Sequence, residues 1–275
     1  MDKYIKYWGK AKQSEKGEWA CHLLPYHCLD VAAVGRIIMG ASPQLQRMAK
    51  LLNISDKKLF DWLTFLFAVH DIGKFSNGFQ ALNPELCKLL HSETIRANYQ
   101  EKHWSIGYRF LTDKAINEKI FPGANINLLK YWYSATTGHH GRPPQLNINP
   151  QPMQFQFPPD VEDTTNFIME LKKIFSVNAP PFNNEVDYYK VLPRVSWLVS
   201  GTTMLSDWVG SNPEWFPFLT KDIPLKEYFE KIALKQAEIA VNESGLLPIP
   251  AVSLAKDINK LFPEIKNLTN LQKTA

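Results

Sequence analysis

Leu59-Phe60-Asp61-Trp62-Leu63-Thr64-Phe65-Leu66-Phe67-Ala68-Val69, running directly into His70-Asp71-Ile72-Gly73-Lys74, is the stretch that decides the fold of this chain. Asn53-Ile54-Ser55-Asp56 precedes it, and either Ser55 or Asp56 is suited to cap a helix by accepting from its free N–H groups. The segment up to Val69 is apolar on nearly all sides, which predicts a central, buried helix. Asp61 interrupts it, and it is too short to span a bilayer. His70 and Asp71 then fall on the last turn or just beyond, where Gly73 can turn the chain. An ionised Asp without a partner is costly beside a buried helix, so metal coordination or an ion pair is the natural resolution.

Working outward, the pattern stays helical, with few strand candidates. Pro25 precedes a run, Tyr26 to Met39, whose apolar positions recur at helical spacing, and Gly40 closes it. Further helices are predicted over 101–113, 126–137, 162–174, 194–209 and 224–242. Between them, Gly141 to Asp160 is rich in Pro, Gln and Asn without periodicity, and Ser176 to Val186 is also irregular. A loop as long as the first is usually functional or disordered. The predicted fold class is all-α, with long loops gathered around a central site.

Bulk composition narrows the field only moderately. At 45% hydrophobic and 21% charged residues, the chain is an ordinary globular protein, long enough for one large domain. A formal charge of +4 permits an anionic substrate without demanding one. Cys21, Cys28 and Cys87 form no CxxC pair, which argues against a disulfide framework or thiolate zinc site and suits a reducing, cytoplasmic setting. The N-terminal MDKYIKYWGKAKQ has no apolar stretch after its charges, so no signal peptide is read there.

The histidines carry the chemistry. Seven are present: His22, His27, His70, His91, His103, His139 and His140. Each alone is most simply a surface or hydrogen-bonded core residue. Pairing changes this: His139-His140 lies between an aromatic-rich helix (Tyr131, Trp132, Tyr133) and a Gly141-Arg142-Pro143-Pro144 turn, where two imidazoles can face one cavity. Asp207 sits in an apolar helical run, Val195 to Val209, and is a second buried carboxylate needing a positive partner. Imidazole and carboxylate donors without thiolates suit Mn, Fe, Co or Ni, with Zn possible and Mg less natural. Five imidazoles and two carboxylates are enough for two divalent ions, which together can bind a phosphate oxygen, activate water and steady a leaving group. Asp71, with two oxygens, is best suited to bridge them. The competing account is a helical domain whose polar core groups merely satisfy one another.

These residues also carry a resemblance. Trp8-Gly9-Lys10-Ala11 comes first, then His22-Leu23-Leu24-Pro25-Tyr26-His27-Cys28-Leu29-Asp30 and His70-Asp71-Ile72-Gly73-Lys74 with Phe79-Gln80. His103 with Gly107-Tyr108, Gly138-His139-His140-Gly141-Arg142-Pro143-Pro144, and Ser206-Asp207-Trp208 running into Gly210-Ser211-Asn212 complete the series. In order and spacing they resemble the HD superfamily of metal-dependent phosphohydrolases, and more closely the N-terminal HD nuclease domain of the CRISPR-associated type I nuclease-helicase. The bare HD pair is weak evidence, whereas the whole series is specific, and no motif position departs from the pattern. The resemblance implies a nuclease for single-stranded DNA, such as the strand displaced by an RNA-guided surveillance complex, cleaving it by metal-activated water at a two-metal His/Asp site. It implies one metal on His27, His70, Asp71 and Asp207, and a second on Asp71, His103, His139 and His140. Mn, Co, Ni or Fe are the metals it implies. Asp71, His70 and Lys74 are the implied catalytic residues, with Lys74 on the scissile phosphate, a role that also suits a flexible ammonium.

Several positions are left between two readings. His22 and His91 are set aside as structural, the first as a strand-end or supporting group and the second as solvated loop or helix edge. Ser206 bonds either a ligand or its own helix carbonyl. Arg142 and Trp208 are candidate DNA contacts, while Trp215, Phe216 and Phe218 are read as packing.

Phe262-Pro263-Glu264-Ile265 and Leu268-Thr269-Asn270-Leu271-Gln272-Lys273 look like the approach to a superfamily 2 helicase. No GxxxxGK[ST] run is present, so no P-loop binding of ATP is expected of this stretch. The expected organisation is an HD nuclease domain over 1–245 and a linker over 246–275 leading to a helicase domain of the same longer chain. Two alternatives stand beside the nuclease: a nucleotide or cyclic-nucleotide phosphohydrolase of the same superfamily, and a docking module with little activity, for which the 141–160 loop is a candidate surface.

Overall fold

Ser55 caps the central helix by accepting from the Lys58 N–H, and that helix runs over Asp56–Ala68 with Trp62, Leu63, Phe65, Leu66, Phe67 and Ala68 all buried. Each such side chain contributes roughly 1.5–3 kcal/mol on leaving water, so this one segment anchors the core. The protein is seen here as a computed structural model that describes residues 3–92, 97–144, 161–182 and 186–247, and positions 263–265, 267, 269 and 270.

The first element pair is a hairpin, β1 (Trp8–Gln13) and β2 (Trp19–Leu23). It is followed by α1 (Leu24–Gly40), α2 (Gln44–Leu52) and the central helix, α3 (Asp56–Ala68). Then come the short α4 (Asn77–Gln80), α5 (Pro84–His91), α6 (His103–Thr112), α7 (Lys114–Ile120) and α8 (Ile126–Thr137). The described chain continues with α9 (Val161–Ile174), α10 (Tyr188–Gly210), α11 (Leu225–Tyr228), a π-helical turn (Phe229–Ala233) and α12 (Leu234–Glu243). The protein is therefore mostly helical, as expected, with one small antiparallel sheet.

α1 packs on α3 on one side and on α10 and α12 on others, while α8 lies against α10 and α6. The predicted Tyr26 to Met39 helix forms within Leu24–Gly40, with Pro25 in its first turn. The 126–137 helix forms with its predicted bounds. The predicted 194–209 helix is longer, beginning at Tyr188 and carrying Pro193 inside it. The 224–242 helix is interrupted by the π turn. Most of the 141–160 loop, and most of the 246–275 linker, lies outside the described residues.

The hairpin slips register at Gly9: Trp8 faces Leu23 and Lys10 faces His22, so two steps on β1 meet one on β2. Such a bulge bends a strand and re-aims its side chains. Gly9 also sits close to α1, since a Cβ there would fall 2.9 Å from the Leu24 Cα. Cys21, Cys28 and Cys87 are buried, and the Cys87 thiol donates to the Gln80 carbonyl. Among the described residues, no helix is long and apolar enough to cross a membrane.

Candidate metal centre

Five chain segments converge on Asp71. His27 comes from the first turn of α1, His70 and Asp71 from the end of α3, His103 from the start of α6, His139 and His140 from the turn after α8, and Asp207 from α10. The two carboxylates and five imidazoles named from the sequence thus meet in one place. His27, His70, Asp71 and Asp207 offer donor atoms all within 4.8 Å of one another, and so do His103, His139 and His140.

Asp71 lies between the two groups. Its Oδ2 is 3.1 Å from His27 Nε2 and 3.4 Å from His70 Nε2. Its Oδ1 is 3.3 Å from His103 Nε2 and 3.6 Å from His139 Nε2. Asp207 Oδ1 closes the first group at 3.5 Å from His27 and 3.6 Å from His70. His140 Nε2 approaches His103 Nε2 to 3.2 Å. Donor atoms that share an ion at about 2.1 Å stand roughly 3–3.5 Å apart, so this spacing is that of a ligand shell.

The backbone decides which ring nitrogen faces inward. His70 Nδ1 donates to the Phe67 carbonyl at 2.9 Å, and His139 Nδ1 to the Thr136 carbonyl at 3.1 Å. His103 Nδ1 lies 3.0 Å from the Tyr99 hydroxyl, which also accepts from the His103 backbone N–H at 2.9 Å. For His70 and His139, holding a proton on Nδ1 directs Nε2 to the centre, the usual way a protein orients imidazole ligands. His70 Nε2, His139 Nε2 and Asp71 Oδ1 are buried and make no hydrogen bond. Buried polar atoms without partners are costly and therefore rare. Divalent cations fit these residues.

Charge points the same way. Burial, reinforced by the Lys10 ammonium, lowers His27 to about 4. Burial outweighs the pull of Asp71 and lowers His139 to about 3. His103 and His140 are also lowered, chiefly by burial. His70 differs: burial opposes its charge, but Asp71 and Asp207 more than offset this and raise it to about 9. Burial likewise disfavours the Asp71 anion, yet Lys74 and His70 hold its carboxyl well below the usual range. Asp207 is held low against burial by His27 and His70. Ionised carboxylates beside mostly neutral imidazoles are the ligand state a metal requires.

Lys74, in the turn after α3, places its Nζ 2.6 Å from Asp71 Oδ2 and donates to the Gly9 carbonyl at 3.4 Å. Gln80 fixes that arrangement. Its side-chain amide donates to the carbonyls of Lys74 (2.7 Å) and Trp8 (3.0 Å), and its Oε1 accepts from the Trp8 N–H. The residue that sequence reasoning passed over is Lys10. Quoted only as part of a motif, it stands on β1 with Nζ 3.8 Å from Asp207 Oδ1. Its side chain is 28% exposed against 8% for Lys74, so it is the ammonium nearer to solvent. Finding it needed the Gly9 bulge, which hydrophobic periodicity does not show. Ser211, also passed over, donates to Asp207 Oδ1 at 2.8 Å.

The remaining candidates separate cleanly. His22 Nε2 pairs with the buried Asp30 at 2.7 Å while its Nδ1 accepts from the Leu219 N–H, so it is a structural group near the end of a strand. His91 ends α5 with its ring against Tyr7, not in solvated loop. Ser206 donates to the Thr202 carbonyl of its own helix, and the ligand-bonding alternative is not what forms. Trp208 is exposed and adjoins Asp207, and Arg142 is exposed beside the His139-His140 turn. Phe216 is buried, and Phe218 stacks on His22.

The chain is similar to known proteins. The chain is 29% identical over 259 residues to the CRISPR-associated endonuclease/helicase Cas3 of Escherichia coli (strain K12), covering 83% of this chain and 29% of that protein. It is 24% identical over 261 residues to the protein of the same name from Thermus thermophilus, covering 92% of this chain and 27% of the relative. The chain therefore spans less than a third of these relatives' length. Among solved structures, the Thermus thermophilus Cas3 HD domain in the presence of Ni2+ superposes with a TM-score of 0.60 at 23% identity, over 85% of this chain and 88% of that one. A chain in a structure described as a CRISPR RNA-guided surveillance complex, pre-nicking, superposes with a TM-score of 0.67 at 20% identity, over 94% of this chain and 31% of that one. Likeness at these identities shows the shared fold. The family model described as Cas3, HD domain matches residues 8–216, which include every residue of the His/Asp centre, and the chain belongs to that family.

Proposed function

We propose that this chain hydrolyses phosphodiester bonds of single-stranded DNA at a centre of two divalent transition metals, as the nuclease part of a CRISPR interference machine. The observation that carries this is Asp71, which presents one oxygen to His27 and His70 and the other to His103 and His139. His27, His70, Asp71 and Asp207 would hold one ion, and Asp71, His103, His139 and His140 the other. When bound, such a pair supplies Lewis acidity toward a phosphate oxygen and acidifies water near neutral pH.

The chain's own residues supply the rest. Lys10 and Lys74 bring two ammonium groups to the centre, one beside Asp207 and one beside Asp71, where a phosphodiester needs its charge offset. Backbone carbonyls at Phe67 and Thr136 accept from Nδ1 of His70 and His139 and so turn each Nε2 toward the centre. Among the described residues, Lys10 and Lys74 are the ammonium groups beside the centre, and departure of the leaving oxygen relies on charge stabilisation.

The relatives named as endonuclease/helicase are more than three times as long as the matched region, which supports a helicase domain following residue 275 in the same protein. Residues 1–245 would then be the nuclease domain and 246–275 the connection. The surveillance-complex likeness supports an RNA-guided assembly as partner.

The test is cleavage of circular and linear single-stranded DNA with Mn, Co, Ni or Mg. Asp71→Ala should abolish cutting of both while circular dichroism keeps the helical signal. Undiminished cutting by that variant would remove the metal assignment. Faster turnover of dNTPs or cyclic nucleotides than of oligonucleotides would favour the nucleotide phosphohydrolase instead.

A further inference from the structure

Beside the metal centre, α8 and α10 bound a groove of about 530 Å³. That is the size of a built ligand site, which usually spans roughly 300–1,000 Å³. Its floor and walls are aromatic: Tyr108 of α6, Tyr131 of α8, and Tyr189 and Trp197 of α10. Tyr189 and Trp197 are 53% and 82% exposed, which is unusual for rings of this size. Lys130 and Arg142 also line it, and among the described residues no carboxylate does. At one end the wall is Gly138, Gly141 and Arg142, the same turn that carries His139 and His140.

We infer that this groove holds the bases and backbone of a single-stranded nucleic acid next to the bond being cut, an inference that rests on the nuclease reading above. Three features select this occupant over a protein partner. Exposed aromatic faces along one helix side offer stacking surfaces for successive bases, a sequence-tolerant mode of binding. Positions 189, 196, 197 and 200 recur at helical spacing, so Tyr189 and Trp197 stand on one face of α10. Two cations without an acid complement a polyanion. The third feature is continuity. A strand lying on Tyr189, Trp197 and Tyr131 meets the His139-His140 turn at its end, so seating the bases delivers a phosphate to the centre. Tyr131 and Tyr189 meet edge to face at 6.4 Å, which ties α8 to α10 within the groove. The groove takes a flexible, unpaired strand, because its rings need base faces that a duplex keeps stacked on one another.

The test compares kcat/KM for a long oligothymidylate with that for a dinucleotide, in wild type, Trp197→Ala and Lys130→Glu. Stacking on one ring contributes a substantial share of binding, so Trp197→Ala should lower the long-to-short ratio by roughly tenfold. Lys130→Glu should also lower it, with a shallower dependence on salt. Unchanged melting temperatures would show that both variants fold. A ratio equal to wild type in both variants overturns the groove as a strand track, whether or not either has lost affinity for a protein partner. Metal-dependent hydrolysis of bis-p-nitrophenyl phosphate by the wild type, which needs no groove, tests the hydrolytic centre separately. If that ester and the oligonucleotides are all inert, the nuclease reading fails, and the groove inference falls with it.

Discussion

Gly73 lies so close to His103 that a Cβ on it would fall 1.8 Å from the His103 carbonyl oxygen. The same Cβ would stand 2.7 Å from the Gly107 backbone nitrogen, so the turn after Asp71 and the start of α6 touch backbone to backbone. This contact brings His103 Nε2 to 3.3 Å from Asp71 Oδ1. Gly73→Ala must push α6 away, at a cost of about 1–3 kcal/mol for overpacking. Because His103 belongs to one donor group and not the other, binding of the ion at His103, His139 and His140 should weaken first. Calorimetric metal titration of Gly73→Ala would show this as loss of one binding phase. Retention of both phases at wild-type affinity would mean the close approach does not set the site.

Much of this was legible in sequence, and the limits have physical causes. The central helix announced itself through an apolar run broken by Asp61, with Ser55 or Asp56 placed to cap it, because burial on nearly all sides leaves a composition signal. The clustered histidines and aspartates were legible as candidates because imidazoles and carboxylates beside apolar helices are costly unless employed. The hairpin was not. Trp8–Gln13 alternates poorly, with both Trp8 and Gly9 buried, and its turn is marked only by Gly17 at a φ of 83°. With the hairpin went Lys10, whose approach to Asp207 depends on tertiary placement. The α8–α10 groove was equally hidden, since exposed and buried aromatics on a helix look alike until the neighbouring helix is known.

Lys10 should matter more than its motif position suggests. Its Nζ offsets Asp207 and helps to keep His27 neutral. Lys10→Ala should reduce kcat on single-stranded DNA by roughly a hundredfold, the scale of losing one preorganised charge-stabilising group. Lys10→Arg should recover part of that loss. Single-turnover cleavage at saturating metal separates this from metal loss, and wild-type rates in Lys10→Ala would rule the role out.

Metal uptake should depend on pH through His70. Its folded value of about 9 exceeds the ordinary 6.5, so its charged pairing with Asp71 and Asp207 stabilises the metal-free fold below pH 6.5 and is lost as pH rises through 9. An incoming cation must displace that proton. Affinity should therefore climb between pH 6.5 and 9, and the gain in melting temperature on adding Mn or Ni should grow across the same window. His27 and His139 act at the other end. Depressed to about 4 and about 3, they remain neutral in the fold while the unfolded chain takes up protons below 6.5. Stability they contribute is lost as pH falls from there. Titrations in buffers of different ionisation enthalpy would report proton release, and a pH-independent affinity would contradict this account.

Tyr99 supplies the last handle on the centre. Its hydroxyl meets both the Nδ1 (3.0 Å) and the backbone N–H (2.9 Å) of His103, fixing the ring and the start of α6 together. Tyr99→Phe keeps the ring that packs edge-on against Phe79 but strips both contacts. His103 would then be free to rotate or change tautomer, and its Nε2 would no longer be held toward Asp71. Supporting partners of this kind are usually worth about 10–100-fold in metal affinity. The expected result is a loss of that size for the ion on His103, His139 and His140, with the His27 and His70 group little affected. Tyr99→Ala removes the packing as well, so a loss seen only in Tyr99→Ala would assign the effect to the ring and not to the hydroxyl.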